Sequence, residues 1–119
     1  MSVKQTLECE LKLDVGPGFR LPKLPGRRFV PRVFVSTYYD TPDHRLASQA
    51  VTLRRRTEKR RHRWQVKLPR GAARLELELP GPPTQVPDEL RRLLMVYTRD
   101  ADLAPIAALR TRRSGILVH

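Results

Sequence analysis

Cysteine is nearly absent from this chain: Cys9 stands alone among 119 residues. One thiol cannot build an internal disulfide framework or supply a four-cysteine zinc site. Aromatic residues make up only 6% and hydrophobic residues 39%. The core is therefore modest, although a chain of this length can fold on its own as one domain. No run approaches the ~20 apolar residues of a membrane span. The first residues, MSVKQTLECELKL, carry Lys4, Glu8, Glu10 and Lys12 where a secretory leader would have its apolar centre. The chain reads as soluble and cytoplasmic, with no membrane among its partners. Acidic residues are scarce too. Twelve Asp+Glu stand against 24 Lys+Arg, leaving a net charge of +12 and a pI near 11.2. Such a surplus calls for an anionic partner, either phosphate chains, nucleic acid or an acidic surface, and does not choose among them.

What is present is alternation. Residues 3–13 (VKQTLECELKL) have period two, with Leu7, Cys9, Leu11 and Leu13 on one face and Glu8, Glu10 and Lys12 on the other. Residues 16–28 hold too much Pro and Gly for a regular element. A second strand is expected over 29–39, with Pro31 near its start. Thr41-Pro42-Asp43 reads as the start of a short helix, Thr41 as its cap. Residues 50–57 and 62–69 form a hairpin around the basic tip Glu58-Lys59-Arg60-Arg61, and 72–79 is the clearest strand. Pro80-Gly81-Pro82-Pro83 stops it. Over 87–98 the period changes, with Leu90, Leu93, Leu94 and Tyr97 on one helical face. A last strand is expected from Ile106 to Val118. Six strands and about two helices make an α+β protein with a mainly antiparallel sheet.

Strand after strand sets ionic groups opposite apolar ones: Glu8/Glu10/Lys12, Arg54/Arg56, Lys67, Arg74/Glu76/Glu78 and Arg110/Arg112. The bland account is a solvated sheet face with weak cross-strand pairs. Against it, the runs Arg54-Arg55-Arg56 and Arg110-Thr111-Arg112-Arg113 crowd like charges, which repel unless an anion lies between them. Glu8-x-Glu10-x-Lys12 also sets two carboxylates and an amine in one row, about 7 Å apart per step. Such a row suits a hard cation bridging to phosphate. The spacing by itself is a weak signal, because it arises by chance in amphipathic strands.

Four motifs in order make the pattern specific: Glu8-x-Glu10-x-Lys12, Tyr38-Tyr39-Asp40-Thr41-Pro42-Asp43, Thr52-Leu53-Arg54-Arg55-Arg56 and Trp64-Gln65-Val66-Lys67-Leu68-Pro69. With Arg74-x-Glu76-x-Glu78 and Leu109-Arg110-Thr111-Arg112-Arg113 they cover nearly the whole chain, which resembles the CYTH family. These are the triphosphate tunnel metalloenzymes, including adenylate cyclases, thiamine triphosphatases and inorganic triphosphatases. The wording is most similar to bacterial members fused to a downstream CHAD domain. The resemblance implies an antiparallel β-barrel of eight strands with a charged lumen. It makes Glu8 and Glu10 ligands of Mg²⁺ or Mn²⁺, and Lys12, Arg54, Arg56, Lys67, Arg110 and Arg112 phosphate-binding groups. Arg is suited to this by its planar fork and Lys by its compact charge. Glu76 and Glu78 would bind a second metal, orient water or pair with Arg74, the pairing role coming first. The implied ligand is a triphosphate or inorganic polyphosphate, hydrolysed by a complete member acting as a metal-dependent triphosphatase. Six visible strands against eight implied lead to the expectation of an incomplete barrel, lacking its C-terminal strands. An open edge there would invite a homodimer.

Two rival readings stand beside it: a polyphosphate-binding module without turnover and a basic nucleic-acid binder. The tip from Arg54 to Arg63 would suit nucleic acid, but apart from Trp64 it has no interleaved aromatics on which bases could stack. Cys9 alternates with leucines and is expected to be an inert buried thiol. His44 and His62 have no metal-ligand spacing. Trp64, with Val66 and Leu68, is expected under a helix, and one of Tyr38 and Tyr39 should reach the ionic face.

Overall fold

The computed structural model describes residues 3–8, 14 and 16–118, the side chain of Glu8 excepted. Its strands are β1 (Lys4–Glu8), β2 (Gly26–Arg28), β3 (Arg32–Asp40), β4 (Thr52–Glu58), β5 (Arg61–Arg70), β6 (Ala73–Pro80), β7 (Ala104–Arg113) and β8 (Ile116–Val118). The helices are α1 (Asp88–Leu93) and α2 (Met95–Thr98), and a 3₁₀ turn spans Ala47–Gln49. Six strands form one antiparallel sheet in the order β1-β6-β5-β4-β3-β7, while β2 and β8 pair separately. Among the described residues the sheet is open, with β1 and β7 as its edges. The expected α+β class and antiparallel sheet are present, and among the described residues the sheet does not close into a barrel. No described helix is long and apolar enough to cross a membrane.

Four boundaries differ from the sequence reading. The second strand starts at Arg32 rather than residue 29, because Pro31 lacks an N–H and the Phe29 N–H is given instead to the Gly115 carbonyl at 2.9 Å. The final run breaks at Ser114-Gly115. Its last three residues leave the main sheet to pair with Gly26–Arg28, inside the stretch expected to be irregular. The element after Thr41-Pro42 is a turn rather than a helix. Thr41 Oγ1 accepts the Arg45 N–H at 2.9 Å, as a cap would. The Asp40 carboxylate takes the N–H groups of Thr41, Leu46 and Ala47 at 2.7, 2.9 and 3.1 Å. The helix over 87–98 is divided at Leu94 (φ −87°, ψ −2°) into α1 and α2.

Turn chemistry fixes the meander. Lys59 and Arg60 both have positive φ (49° and 66°), the type I′ geometry that matches strand twist in a two-residue hairpin. Between β5 and β6, Gly71 (φ 61°) takes the first position of the two-residue turn.

The two faces of this meander differ in chemistry. Leu53, Trp64, Val66 and Leu79 form the apolar face and lie at or below 1% exposure. Leu46 and Val51 from the 41–51 turn, Val86 from the loop before α1, and Leu90 and Leu94 from α1 and its junction with α2 close over them. Trp64 is fully buried in this core. Its Nε1–H donates to the Pro82 carbonyl at 2.9 Å, and its ring meets that of Tyr39 at 4.9 Å. The 80–83 loop lies so close that a Cβ on Gly81 would fall 2.6 Å from Trp64 Cδ1. Packing the apolar face under the helices leaves the other face to the ionic side chains.

Candidate phosphate-binding face

Strand pairing assembles the ionic face in cross-strand rows. One row runs Lys4–Glu78–Gln65–Arg54–Tyr38, another Thr6–Glu76–Lys67–Thr52, and a third Arg63–Arg56–Ser36. From Tyr38 to Glu78 the first row is bonded side chain to side chain. Tyr38 Oη accepts from Arg54 Nη1 at 3.5 Å, Arg54 Nε donates to Gln65 Oε1 at 2.7 Å, and Gln65 Nε2 donates to Glu78 Oε2 at 2.9 Å. Glu78 also meets Arg63 at 3.3 Å, and Lys67 meets Glu76 at 3.7 Å. At the hairpin end, Arg32 grips Glu58 with two hydrogen bonds, at 2.6 and 3.0 Å. That contact raises the pKa of Arg32 and lowers that of Glu58, mainly through the hydrogen bond and less through charge.

Arg56 is set apart by its contact with Phe34 and by its electrostatics, while a buried, unpartnered Nε is shared with Arg55 on the other side of the strand. The Arg56 guanidinium carbon lies 4.1 Å from the centroid of the Phe34 ring, and its Nε is buried with no hydrogen-bond partner. Burial lowers its pKa first, then the like charges of Arg54, Arg113 and Arg32; only Glu76 opposes them. It borders a cavity of about 640 Å³ lined by Arg32, Arg56, Lys59, Arg61 and Arg63 against the carboxylates Glu58 and Glu78, with Gln65. Five cations against two carboxylates leave an anion-selective surface.

Of the residues expected to bind ligand, the structure gathers Arg54, Arg56, Lys67, Glu76 and Glu78 on this one face. Glu8 takes the register position opposite Arg74 at the end of β1. Glu10, Lys12 and Cys9 lie outside the described residues. Arg110 and Arg112 are not brought to the face. They pair with Val35 and Val33, which alternate with the ionic positions of β3, so they belong to the opposite side of the sheet. Arg113, opposite Arg32, is the β7 arginine on the ionic side. Arg32, Phe34, Arg63, Gln65 and Arg113 were not among the ligand-binding residues expected from sequence. Stepping by two from Tyr38 back to Arg32, and from Lys67 back to Arg63, would have found four of them.

Glu76 and Glu78 each meet a cation, the pairing role placed first for them, although with Lys67 and Arg63 rather than Arg74. Among the described residues no three His, Cys, Asp or Glu side chains are grouped to hold a metal ion. The face as described carries a surplus of positive charge beside the cavity. A hard cation would need the oxygen donors Glu8 and Glu10 at the end of β1 and beyond it.

An antiparallel sheet with one apolar face under helices and one basic, cavity-lining face is the architecture expected of a triphosphate tunnel domain. The chain belongs to the CYTH family, whose model, described as CYTH domain, matches residues 6–118. It is 35% identical, over 95% of its length, to the uncharacterized proteins MT2285 and Rv2226 from two strains of Mycobacterium tuberculosis. The chain spans 24% of the length of those relatives. Its fold also resembles that of a candidate adenylate cyclase from Bacillus halodurans, with a TM-score of 0.53 and 24% identity. That likeness covers 70% of this chain and half of the other; at this identity it speaks for the fold alone.

Proposed function

We propose that the ionic face binds the phosphate groups of a triphosphate or inorganic polyphosphate. The observation that carries this is Arg56: a buried, unpaired guanidinium N–H crowded by Arg54, Arg113 and Arg32 at the wall of a cavity with surplus positive charge. Such a group is costly in the free protein and is satisfied by a multiply charged oxyanion. Arg54 is oriented by Gln65 and Tyr38, so its fork is held in place before ligand arrives. Arg32 can exchange Glu58 for a phosphate oxygen. Lys12 is proposed to add a further phosphate-binding cation.

CYTH domains are metal-dependent triphosphate-binding proteins. In this chain Glu8 and Glu10 are proposed to hold Mg²⁺ or Mn²⁺, with Glu76 and Glu78 as additional donors once released from Lys67 and Arg63. The metal would supply charge neutralisation at the transferring phosphoryl group. With it the domain would hydrolyse the anhydride bond; without turnover the same face serves as a polyphosphate-binding module. β7 is an edge strand with Ile106 and Leu109 exposed, and a second copy pairing along it is the protein partner proposed.

Nucleic acid is disfavoured by the aromatic placement. Phe34 and Trp64 are buried and Tyr38 is tied to Arg54, so among the described residues the ionic face offers no free ring on which a base could stack. Calorimetric titration with tripolyphosphate, with and without Mg²⁺ and against a short DNA duplex as competitor, tests the reading. Saturable tripolyphosphate binding that the duplex displaces only weakly is expected. Absence of binding at low salt would refute it, and phosphate release separates the enzyme from the module.

A further inference from the structure

Phe34 is out of place. It sits on β3 between Arg32 and Ser36, on the side of the sheet where β4 presents Arg54, Arg56 and Glu58 and β7 presents Thr111 and Arg113 beside Leu109, yet it is only 5% exposed. It is not part of the apolar core around Trp64, which lies on the opposite face. Its cross-strand neighbour on β7 is Thr111, and the residue stacked on its ring is Arg56. Arg56 lines the cavity; Phe34 does not.

An arginine has four side-chain torsions, and in a field of like charges an unrestrained one would swing toward solvent. The Phe34 ring opposes this in two ways. Its face attracts the guanidinium plane, and its bulk removes water from one side of the group. A guanidinium lying flat on a ring keeps its N–H groups in the plane of its edge, free for oxyanion contact. The adjacent guanidinium of Arg54 is instead held by hydrogen bonds to Gln65 and Tyr38. The face thus uses two different devices to hold two neighbouring cations.

We propose that Phe34 is a positioning residue for anion binding: its buried ring lies under the Arg56 guanidinium and holds that group at the wall of the cavity. This rests on the phosphate-binding reading above. It makes affinity for a phosphate chain depend on a residue that does not touch the ligand.

The test is tripolyphosphate affinity, measured by calorimetry at fixed low salt, for wild type, Phe34→Leu, Phe34→Tyr, Arg56→Met and the pair Phe34→Leu/Arg56→Met. Phe34→Leu should weaken binding about fivefold, the equivalent of about 1 kcal/mol. Phe34→Tyr, which keeps the ring, should bind nearly as wild type. In the Arg56→Met background Phe34→Leu should change affinity no further, a result that general loosening of β3 would not produce. Should Phe34→Leu fail to fold, Phe34→Met takes its place, and the wild-type protein has its own readout. Ring current from Phe34 should move the Arg56 side-chain proton resonances upfield in the free protein.

Wild type that does not bind tripolyphosphate would overturn the phosphate reading. Wild type that binds, with Phe34→Leu equal to it or with Arg56 protons at ordinary shifts, would overturn the role of Phe34 and leave that reading standing.

Discussion

Replacing Arg56 by Met should make the ligand-free protein more stable while disabling it as a phosphate binder. The structure allows the magnitude to be worked out. A buried donor left without a partner costs about 1–3 kcal/mol, and Arg56 Nε is in that state. Its charge is opposed by Arg54, Arg113 and Arg32, so removal also relieves like-charge repulsion. The loss is the contact with Phe34. A cation over a ring contributes about 0.5–2 kcal/mol, of which a methionine sulfur recovers about 0.3–1.5 kcal/mol. The balance favours the variant by about 1–2 kcal/mol, which raises the melting temperature of a domain this size by about 4 °C or more. The liganded state moves the other way. A charge-assisted hydrogen bond is worth about 1.5–3 kcal/mol, so tripolyphosphate affinity should fall about ten- to a hundredfold. Scanning calorimetry with and without millimolar tripolyphosphate reads both effects in one series. The wild type should start lower and rise more on adding ligand; the variant should start higher and barely move. Added salt should narrow the gap between the free proteins by screening the repulsion. A variant that melts below wild type without ligand, yet responds fully to tripolyphosphate, would refute the reasoning and make Arg56 a structural anchor.

Three further outcomes are expected. Asp40→Asn should cost about 2–3 kcal/mol in denaturant unfolding, because the buried carboxylate accepts from three backbone N–H groups and an amide turns one acceptor into a donor. The pair Arg32–Glu58 should give a pH-dependent contribution. Its folded state holds Glu58 below the ordinary carboxylate value of 4.5, so the stabilisation is present above that pH and is lost as pH falls through the depressed pKa. The stability difference between wild type and Glu58→Gln, followed by melting temperature, should therefore shrink as pH falls below 4.5 and vanish once Glu58 is protonated in the folded state. Glu8→Gln combined with Glu10→Gln should abolish any Mg²⁺ dependence of tripolyphosphate binding while sparing metal-free binding; an unchanged Mg²⁺ response in calorimetry would show that these carboxylates are not ligands.

Much of this protein is written locally. Alternation in 50–57, 62–69 and 72–79 specifies strands because a pleated chain sends successive side chains to opposite sides. Leucines at helical spacing place α1 and α2 against Trp64 for a similar reason. Ordered motifs across the chain identify the family, which composition and charge could not. The tertiary structure decided which face each β7 arginine takes. Period two says only that Arg110 and Arg112 share one side and Thr111 and Arg113 the other. Pairing with β3 assigns the sides, and it puts Arg113 beside Arg32 while Arg110 and Arg112 oppose Val35 and Val33. The partnership of residues 26–28 with 116–118 is equally invisible locally, since no short-range signal links segments so far apart. Phe34 is the sharpest case. Its neighbours Val33 and Val35 look like the buried positions, yet they are exposed and Phe34 is buried. Burial there depends on a guanidinium from another strand lying across the ring, a contact that exists only once β3 and β4 are paired.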